Sequence, residues 1–164
     1  MPINDNPIAN REDGSPIYDN APTVGAVALI IDGKVLAIRR NNEPGKGKIG
    51  LPAGYHMRGE TWKEGLAREL FEETGCQINP AHLRQATELY TDEYGNNMVF
   101  AVYLANPDQD QPAFDVAFQK PDEVQEVLYL EVLGEPETWA FPLHYEFAAR
   151  IKAADNLHKG IMNS

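Results

Sequence analysis

The chain has 164 residues, 43% of them apolar and 24% charged, in the proportions of one ordinary globular domain with a core of its own. Its formal net charge of −11 argues against broad binding to nucleic-acid backbones, and any phosphate this chain handles needs cations to bridge the repulsion. The single cysteine, Cys76, excludes an intramolecular disulfide.

Residues 1–22 are rich in Asn, Asp, Pro and Gly and predict an irregular arm ahead of a single domain over residues 23–164, with Ser15–Tyr18 as a short extended piece. The arm either is loosely ordered or packs on a partner subunit. The first residues carry neither the basic stretch nor the apolar stretch of a secretion signal. No apolar run approaches the ~18 residues of a membrane span. A cytoplasmic protein without membrane or nucleic-acid partners is therefore expected.

Thr23–Ile31 is almost wholly apolar and predicts a buried strand. Asp32-Gly33 is a hairpin turn, and Lys34–Arg40 is the returning strand. Arg39 and Arg40 end that strand beside a glycine-rich loop, which makes them candidates for phosphate contacts, against the ordinary alternative of solvated charges. The loop contains Gly45, Gly47 and Gly50 in a formal GxGxxG. A dinucleotide-binding turn would open a helix on the third glycine. Here Leu51-Pro52 follows, and a proline disfavours helix at the residue before it.

A helix is predicted over Thr61–Thr74. Thr61 and Glu64 form a capping box, and Gly75 is the C-terminal stop. Trp62, Leu66 and Leu70, widened by Ala67 and Phe71, make the core stripe, and Glu64 and Arg68 stand at i,i+4 as an ion pair. On the same helix Glu69, Glu72 and Glu73 converge at spacings of three and four. Like charges so placed weaken a helix unless a cation sits among them, and carboxylate oxygens are ligands of hard divalent ions.

Further strands are expected at Cys76–Ile78, Leu83–Asp92, Met98–Ala105 and Glu123–Glu131, with a hairpin turn at Tyr94–Asn97. Asn106–Pro121 reads as a long polar loop, and Leu143–Leu157 as a helix with Phe147, Ile151 and Ala154 inward. The four histidines show no zinc-ligand spacing, so His56 is expected to pack or to face solvent. Asp122 and Glu123 open the strand after the long loop and Glu93 lies at the hairpin, which makes them candidate bases; each taken singly is most simply a surface charge.

Gly54, five residues, Glu60, seven residues, then Arg68-Glu69-Leu70-Phe71-Glu72-Glu73-Thr74-Gly75-Cys76 resembles the Nudix box of the Nudix hydrolases. Chance agreement at so many positions is below roughly one in a million per chain. The flanking elements fit as well. Cys76 departs from the usual aliphatic residue, and Ile49 stands where many members carry Trp.

The resemblance implies an α/β fold, the Nudix-type α/β/α sandwich with a mixed central sheet. It implies hydrolysis of a nucleoside diphosphate linked to another group, with Mg²⁺ or Mn²⁺. By resemblance Glu69, Glu72 and Glu73 are metal ligands, joined by a backbone carbonyl of Ala53 or Gly54. Arg68 orients the carboxylates and Glu60 pairs with it, while Gly54 and Gly75 serve the backbone. The general base is a glutamate of the box or, outside it, Glu123.

An aromatic platform for the base is expected from among Tyr55, Tyr90, Tyr94, Phe100 and Trp139, with Tyr55, Arg39 and Arg40 as substrate contacts. The lead-in PGKGKIGLPAGY and Trp139-Ala140-Phe141-Pro142 are similar to members acting on ADP-ribose, whereas the SQPWPFP stretch of NADH pyrophosphatases is absent. The alternatives are a nucleoside triphosphate or dinucleotide (NADH, FAD) pyrophosphatase, or a nucleotide-sensing module that binds without cleaving. Family members are often dimers, so a homodimer is an allowed assembly.

Overall fold

A computed structural model describes residues 3, 5–103, 112–114, 117 and 119–164. The arm carries a small antiparallel hairpin, β1 (Ala9–Asn10) with β2 (Pro16–Ile17); β2 lies within the extended piece expected at Ser15–Tyr18, and β1 is a strand where an irregular segment was expected. The long apolar run then divides: β3 is Thr23–Ala28 and β4 is Ile30–Ile31. Two sheets share that run, so it is not one strand. β3 lies in a five-stranded sheet and β4 in a four-stranded one, and the chain passes between them at Leu29. The Leu29 carbonyl accepts the Leu36 N–H at 2.9 Å. Spacing along a uniformly apolar stretch carries no mark of such a crossing.

The turn at Asp32-Gly33 is present, with both residues at positive φ (50° and 76°), and β5 (Lys34–Arg40) returns from it. No helix opens at Gly50. The glycine loop instead feeds β6 (Ile49–Gly50), which pairs with β5, and β7 (Ala53–Tyr55) follows at once. After α1 (Trp62–Thr74) come β8 (Cys76–Gln77), β9 (Leu83–Gln85), β10 (Tyr90–Thr91), β11 (Asn97–Tyr103), β12 (Ala113–Phe114), β13 (Val124–Leu130) and α2 (Pro142–Met162).

The first sheet runs β10-β11-β3-β7 with β9 also on β11, and it is mixed because β3 and β11 are parallel. The second runs β13-β5-β4 with β6 on β5, and is antiparallel. The expected strand over Leu83–Asp92 is two short pieces. Both lie along β11, at opposite ends of it. The strand expected to open at Glu123 opens at Val124, and most of the loop expected at Asn106–Pro121 lies outside the described residues.

Side chains alternate across a strand, and here both faces are covered. Ala26 and Ala28 of β3 and Val35 and Ala37 of β5 join Phe100, Trp139, Phe147 and Ala148 in one buried cluster. Val27, Leu29 and Leu36 join Leu66, Leu70, Cys76 and Leu83 in another. A strand buried on both faces has no polar side to show, which is why β3 reads as continuously apolar. The result is the α/β/α layering expected, with α1 on one face and α2 on the other.

The helix α2 is longer than its sequence pattern suggested. His144, Phe147 and Ala148 are buried and Ile151 is half-buried, but Ala154 is exposed, because the helix has left the core by that turn. Phe100 and Trp139, at 1% and 2% exposure, are core residues and not base platforms. Among the described residues no helix is long and apolar enough to cross a membrane.

Candidate active site

The site is built where β7 hands over to α1. The capping box is formed: Thr61 N–H donates to Glu64 Oε2 at 2.7 Å, and Glu64 N–H donates to Thr61 Oγ1 at 3.3 Å. Gly75 ends the helix at φ 74°, its N–H on the Phe71 carbonyl at 2.7 Å. Both ends of α1 are therefore fixed. Gly25 of β3 has no Cβ to collide with the Leu66 side chain, so the helix lies close on the sheet.

Gly54 has a sharper steric duty. A Cβ there would overlap the Glu69 carboxylate, so only glycine lets the strand pass the acidic face of α1.

Because Glu64 serves the cap, it does not pair with Arg68 as its i,i+4 spacing suggested. Arg68 turns the other way. Its Nε and Nη2 donate to the two oxygens of Glu60 at 3.0 and 2.7 Å, and Nη1 donates to Glu69 Oε1 at 2.7 Å and Glu72 Oε2 at 3.4 Å. Nη2 also meets the Tyr55 carbonyl at 3.1 Å. One guanidinium thus ties β7, the connecting loop and two glutamates of α1 together. The Arg68 hydrogen bonds hold Glu60 at a pKa of about 2, and Glu60 in turn raises that of Arg68.

Glu69 and Glu73 are buried, at 5% and 2% exposure. Glu73 accepts the Ala53 N–H at 2.9 Å. Burial pushes its carboxyl up to about 8, against the lowering effect of that hydrogen bond, and the nearby Glu69 charge adds to the rise. A second cation completes the cluster. Lys120 Nζ lies 2.6 Å from Glu69 Oε2, 3.0 Å from Glu72 Oε2 and 3.7 Å from Glu123 Oε2. Burial opposes the Lys120 charge, but its bonds to Glu69 and Glu72 prevail and raise its pKa.

Beside the carboxylates opens a cleft of about 510 Å³, within the ~300–1,000 Å³ of small-molecule sites. Ala53, Gly54, Tyr55, Glu73 and Glu123 line it on the α1 side, and Arg40, Tyr90, Glu93, Tyr94 and Phe141 on the other. Arg40 is held by the Pro44 carbonyl at 2.9 Å, with its guanidinium 5.0 Å above the Phe141 ring. Tyr94 meets the same ring edge-on at 6.3 Å.

Arg39 does not reach the cleft. It points to the far side of β5, where Nε binds Glu126 at 2.8 Å and Nη1 binds the Gly47 carbonyl at 3.1 Å. Neighbouring strand residues face opposite ways, so only one arginine of the pair could enter. His56 Nε2 lies 2.7 Å from the Glu60 carbonyl and supports the loop.

The structure thus gathers Glu69, Glu72, Glu73, Arg68, Glu60, Gly54 and Ala53 in one place, with Glu123, Arg40 and Tyr55 on the adjoining wall. Sequence reasoning overlooked Lys120 and Phe141 as individual residues. A lone lysine at the end of a polar segment has no local signature, although a cluster of glutamates does call for a cation.

The donor set fits a hard divalent cation: carboxylates on one helix face, a glycine that lets a backbone strand approach them, and a buried Glu73 that would surrender its proton to a metal. As the side chains stand, among the described residues no three acidic, histidine or cysteine groups are gathered into a ready-made metal cage. Arg68 and Lys120 hold the carboxylates instead.

Comparison with known proteins bears on the fold and the family. A segment of 44 residues is 50% identical to the ADP-ribose pyrophosphatase of Methanocaldococcus jannaschii. It covers 27% of this chain and spans only about a quarter (26%) of that protein. The fold is similar to the NUDIX domain of Shewanella oneidensis NrtR, solved with ADP ribose, at a TM-score of 0.59 and 21% identity over 85% of this chain and 90% of that one. It is also similar to a bifunctional NMN adenylyltransferase/ADP ribose pyrophosphatase from Francisella tularensis, solved with AMP and a manganese ion, at a TM-score of 0.61 and 18% identity over 82% and 42% of the two chains. The NUDIX domain family pattern matches residues 20–151, and on that match, which takes in both sheets, the acidic helix and its glycine cradle, the chain belongs to the NUDIX family.

Proposed function

We propose that this protein is a metal-dependent pyrophosphohydrolase whose substrate is ADP-ribose or a related sugar nucleotide. The products are a nucleoside monophosphate and a phosphorylated sugar. The observation that carries the reading is the adjacency of two parts: the carboxylate row of α1, and a cleft of about 510 Å³ that shares Gly54 and Glu73 with it. The local identity to an ADP-ribose pyrophosphatase and the ADP ribose bound by a structural neighbour support the choice of substrate.

Glu69, Glu72 and Glu73, with the Ala53 carbonyl, would hold Mg²⁺ or Mn²⁺, which supplies the positive charge that a diphosphate needs in order to be cleaved. The rest falls to the chain. Arg68 fixes the directions of Glu69 and Glu72. Arg40 presents a partly desolvated guanidinium on the cleft wall, suited to a phosphate. Phe141, Tyr94 and Tyr55 offer ring faces and edges to a base or ribose.

Hydrolysis adds a water oxygen to one phosphorus. A carboxylate takes the proton of that water, and the bridging oxygen leaves with the other phosphate. We assign the proton to Glu123, an assignment supported by its position on the cleft wall and its contact with the same ammonium as Glu69 and Glu72. Glu93 lines the cleft too, but among the described residues no ion pair joins it to that cluster.

The test is a substrate panel with Mg²⁺ and with Mn²⁺: ADP-ribose, NADH, FAD and the nucleoside triphosphates. ADP-ribose should give AMP and ribose 5-phosphate, and chelation should stop the reaction. Turnover of a triphosphate alone would move the substrate class. Binding of ADP-ribose with no turnover of any compound would mark a sensing module.

A further inference from the structure

Lys120 is the charged group of the site that the hydrolytic reading leaves unused. Its backbone is pinned on both sides. The Gln119 N–H donates to the Glu72 carbonyl of α1 at 2.6 Å, and the Lys120 carbonyl accepts from Glu123 and Val124 at 3.0 and 2.9 Å. The ammonium is thereby delivered to the acidic face from a fixed base, at the end of a four-carbon side chain that is about a quarter exposed. Among the described residues its partners are Glu69, Glu72 and Glu123, with the closest contact, 2.6 Å, on the buried Glu69.

Arg68 is held differently. It takes the other oxygen of Glu69 and is itself clamped by both oxygens of Glu60. Of the two cations, Lys120 is the one that can leave without dismantling the loop.

We propose that Lys120 is a tethered counter-ion of the metal site: its ammonium neutralises Glu69 and Glu72 while no divalent ion is bound, and it must swing off them for the ion to enter. An ammonium and a divalent cation on the same carboxylate oxygen would stand within a few ångströms of each other and repel strongly in this partly buried setting. Without Lys120, Arg68 alone would have to offset Glu69 and Glu72, three residues apart on one helix face, and the metal-free fold would be less stable. Lys120 therefore stabilises that fold and weakens metal binding by the same interaction. The proposal rests on the reading above only in taking Glu69, Glu72 and Glu73 as ligands.

Two proteins test it against wild type: Lys120→Met, and Lys34→Met as a control that removes the same charge from an exposed position on β5. Free Mn²⁺ is followed by electron paramagnetic resonance at fixed pH. Loss of two charge-assisted bonds leads to an apparent Mn²⁺ dissociation constant at least about tenfold tighter for Lys120→Met than for Lys34→Met. Its metal-free melting temperature should fall below that of the control, and saturating Mn²⁺ should close the gap. Equal or weaker binding in Lys120→Met would overturn the proposal, and binding by none of the proteins would overturn it together with the metal assignment.

The wild type gives a second readout that needs no variant to fold. The full chain is acetylated with acetic anhydride with and without Mg²⁺, and each lysine is quantified by peptide mass spectrometry. Mg²⁺ should increase Lys120 acetylation several-fold relative to Lys34, and an unchanged rate would sink the idea. Neither readout requires turnover. A protein that fails to cleave ADP-ribose would lose the proposed function and leave the metal result standing.

Discussion

Gly54 lies so close to the carboxylate of Glu69 that a methyl group in its place would overlap it. The contact joins the incoming strand to the middle of α1 and sets the spacing between the Ala53 carbonyl and the acidic face. Gly54→Ala should push the two apart by a fraction of an ångström to an ångström. A displacement of that size near reacting atoms can cost about 100-fold in rate. Steady-state kinetics on the best substrate should show that loss in kcat/KM, while far-UV circular dichroism stays native.

Glu60 and Arg68 form a two-pronged pair at 2.7 and 3.0 Å, largely out of solvent. Glu60→Gln leaves one amide oxygen to meet a guanidinium that keeps its charge. Urea denaturation should report a loss of about 1–3 kcal/mol, and activity should fall as well, because Arg68 would no longer hold Glu69 and Glu72 in place. The effect depends on pH. Glu60 has its pKa lowered from 4.5 to about 2 in the folded protein. Its stabilisation is complete above pH 4.5 and is lost as pH falls through 2. The stability difference between wild type and variant should shrink over that range.

For Glu73 the sign is reversed. Burial raises its pKa from 4.5 to about 8, so the metal-free folded protein holds the proton more tightly than the unfolded chain does. This group therefore makes stability decline as pH rises from 4.5 to 8. Glu73→Gln keeps an acceptor for the Ala53 N–H and cannot ionise. In the presence of chelator it should match wild type near pH 5 and exceed it in melting temperature at pH 8. Its kcat should fall by about a thousandfold or more, since a neutral amide is a poor ligand for a hard cation.

His144 is buried beside Phe100 and Phe141 and accepts the Leu51 N–H on Nδ1 at 3.1 Å. That bond requires the neutral ring with its proton on Nε2. Burial lowers its pKa to about 3, and the Arg40 charge adds to the shift. The unfolded chain then binds the proton first, and stability is lost as pH falls from 6.5 towards 3. His144→Asn can place an amide oxygen where Nδ1 stands and does not titrate. Thermal melts should show a flatter pH profile for the variant in that window, at the cost of some packing.

The acidic helix was readable because its signals are local. A capping box, a terminal glycine and a stripe at spacings of three and four lie within fifteen consecutive residues and concern one element only. The same holds for the Asp32-Gly33 turn. The break in the strand at Leu29, the two fragments at Leu83–Gln85 and Tyr90–Thr91, and the outward face of Ala154 were not readable. Each depends on which neighbouring element lies alongside, and apolar residues look alike whichever sheet they serve.

By itself the sequence determined the carboxylate row, the glycine beside it and the helix that displays them, since covalent spacing and the helical period place those groups on one face. Tertiary structure alone decided that Arg40 and not Arg39 meets the cleft, that Phe100 and Trp139 belong to the core, and that a lysine 47 residues beyond Glu73 rests on the acidic face. Those outcomes follow from strand pleat, burial and long-range charge pairing. Such terms compare groups far apart in the chain, and they have no value until the chain has folded.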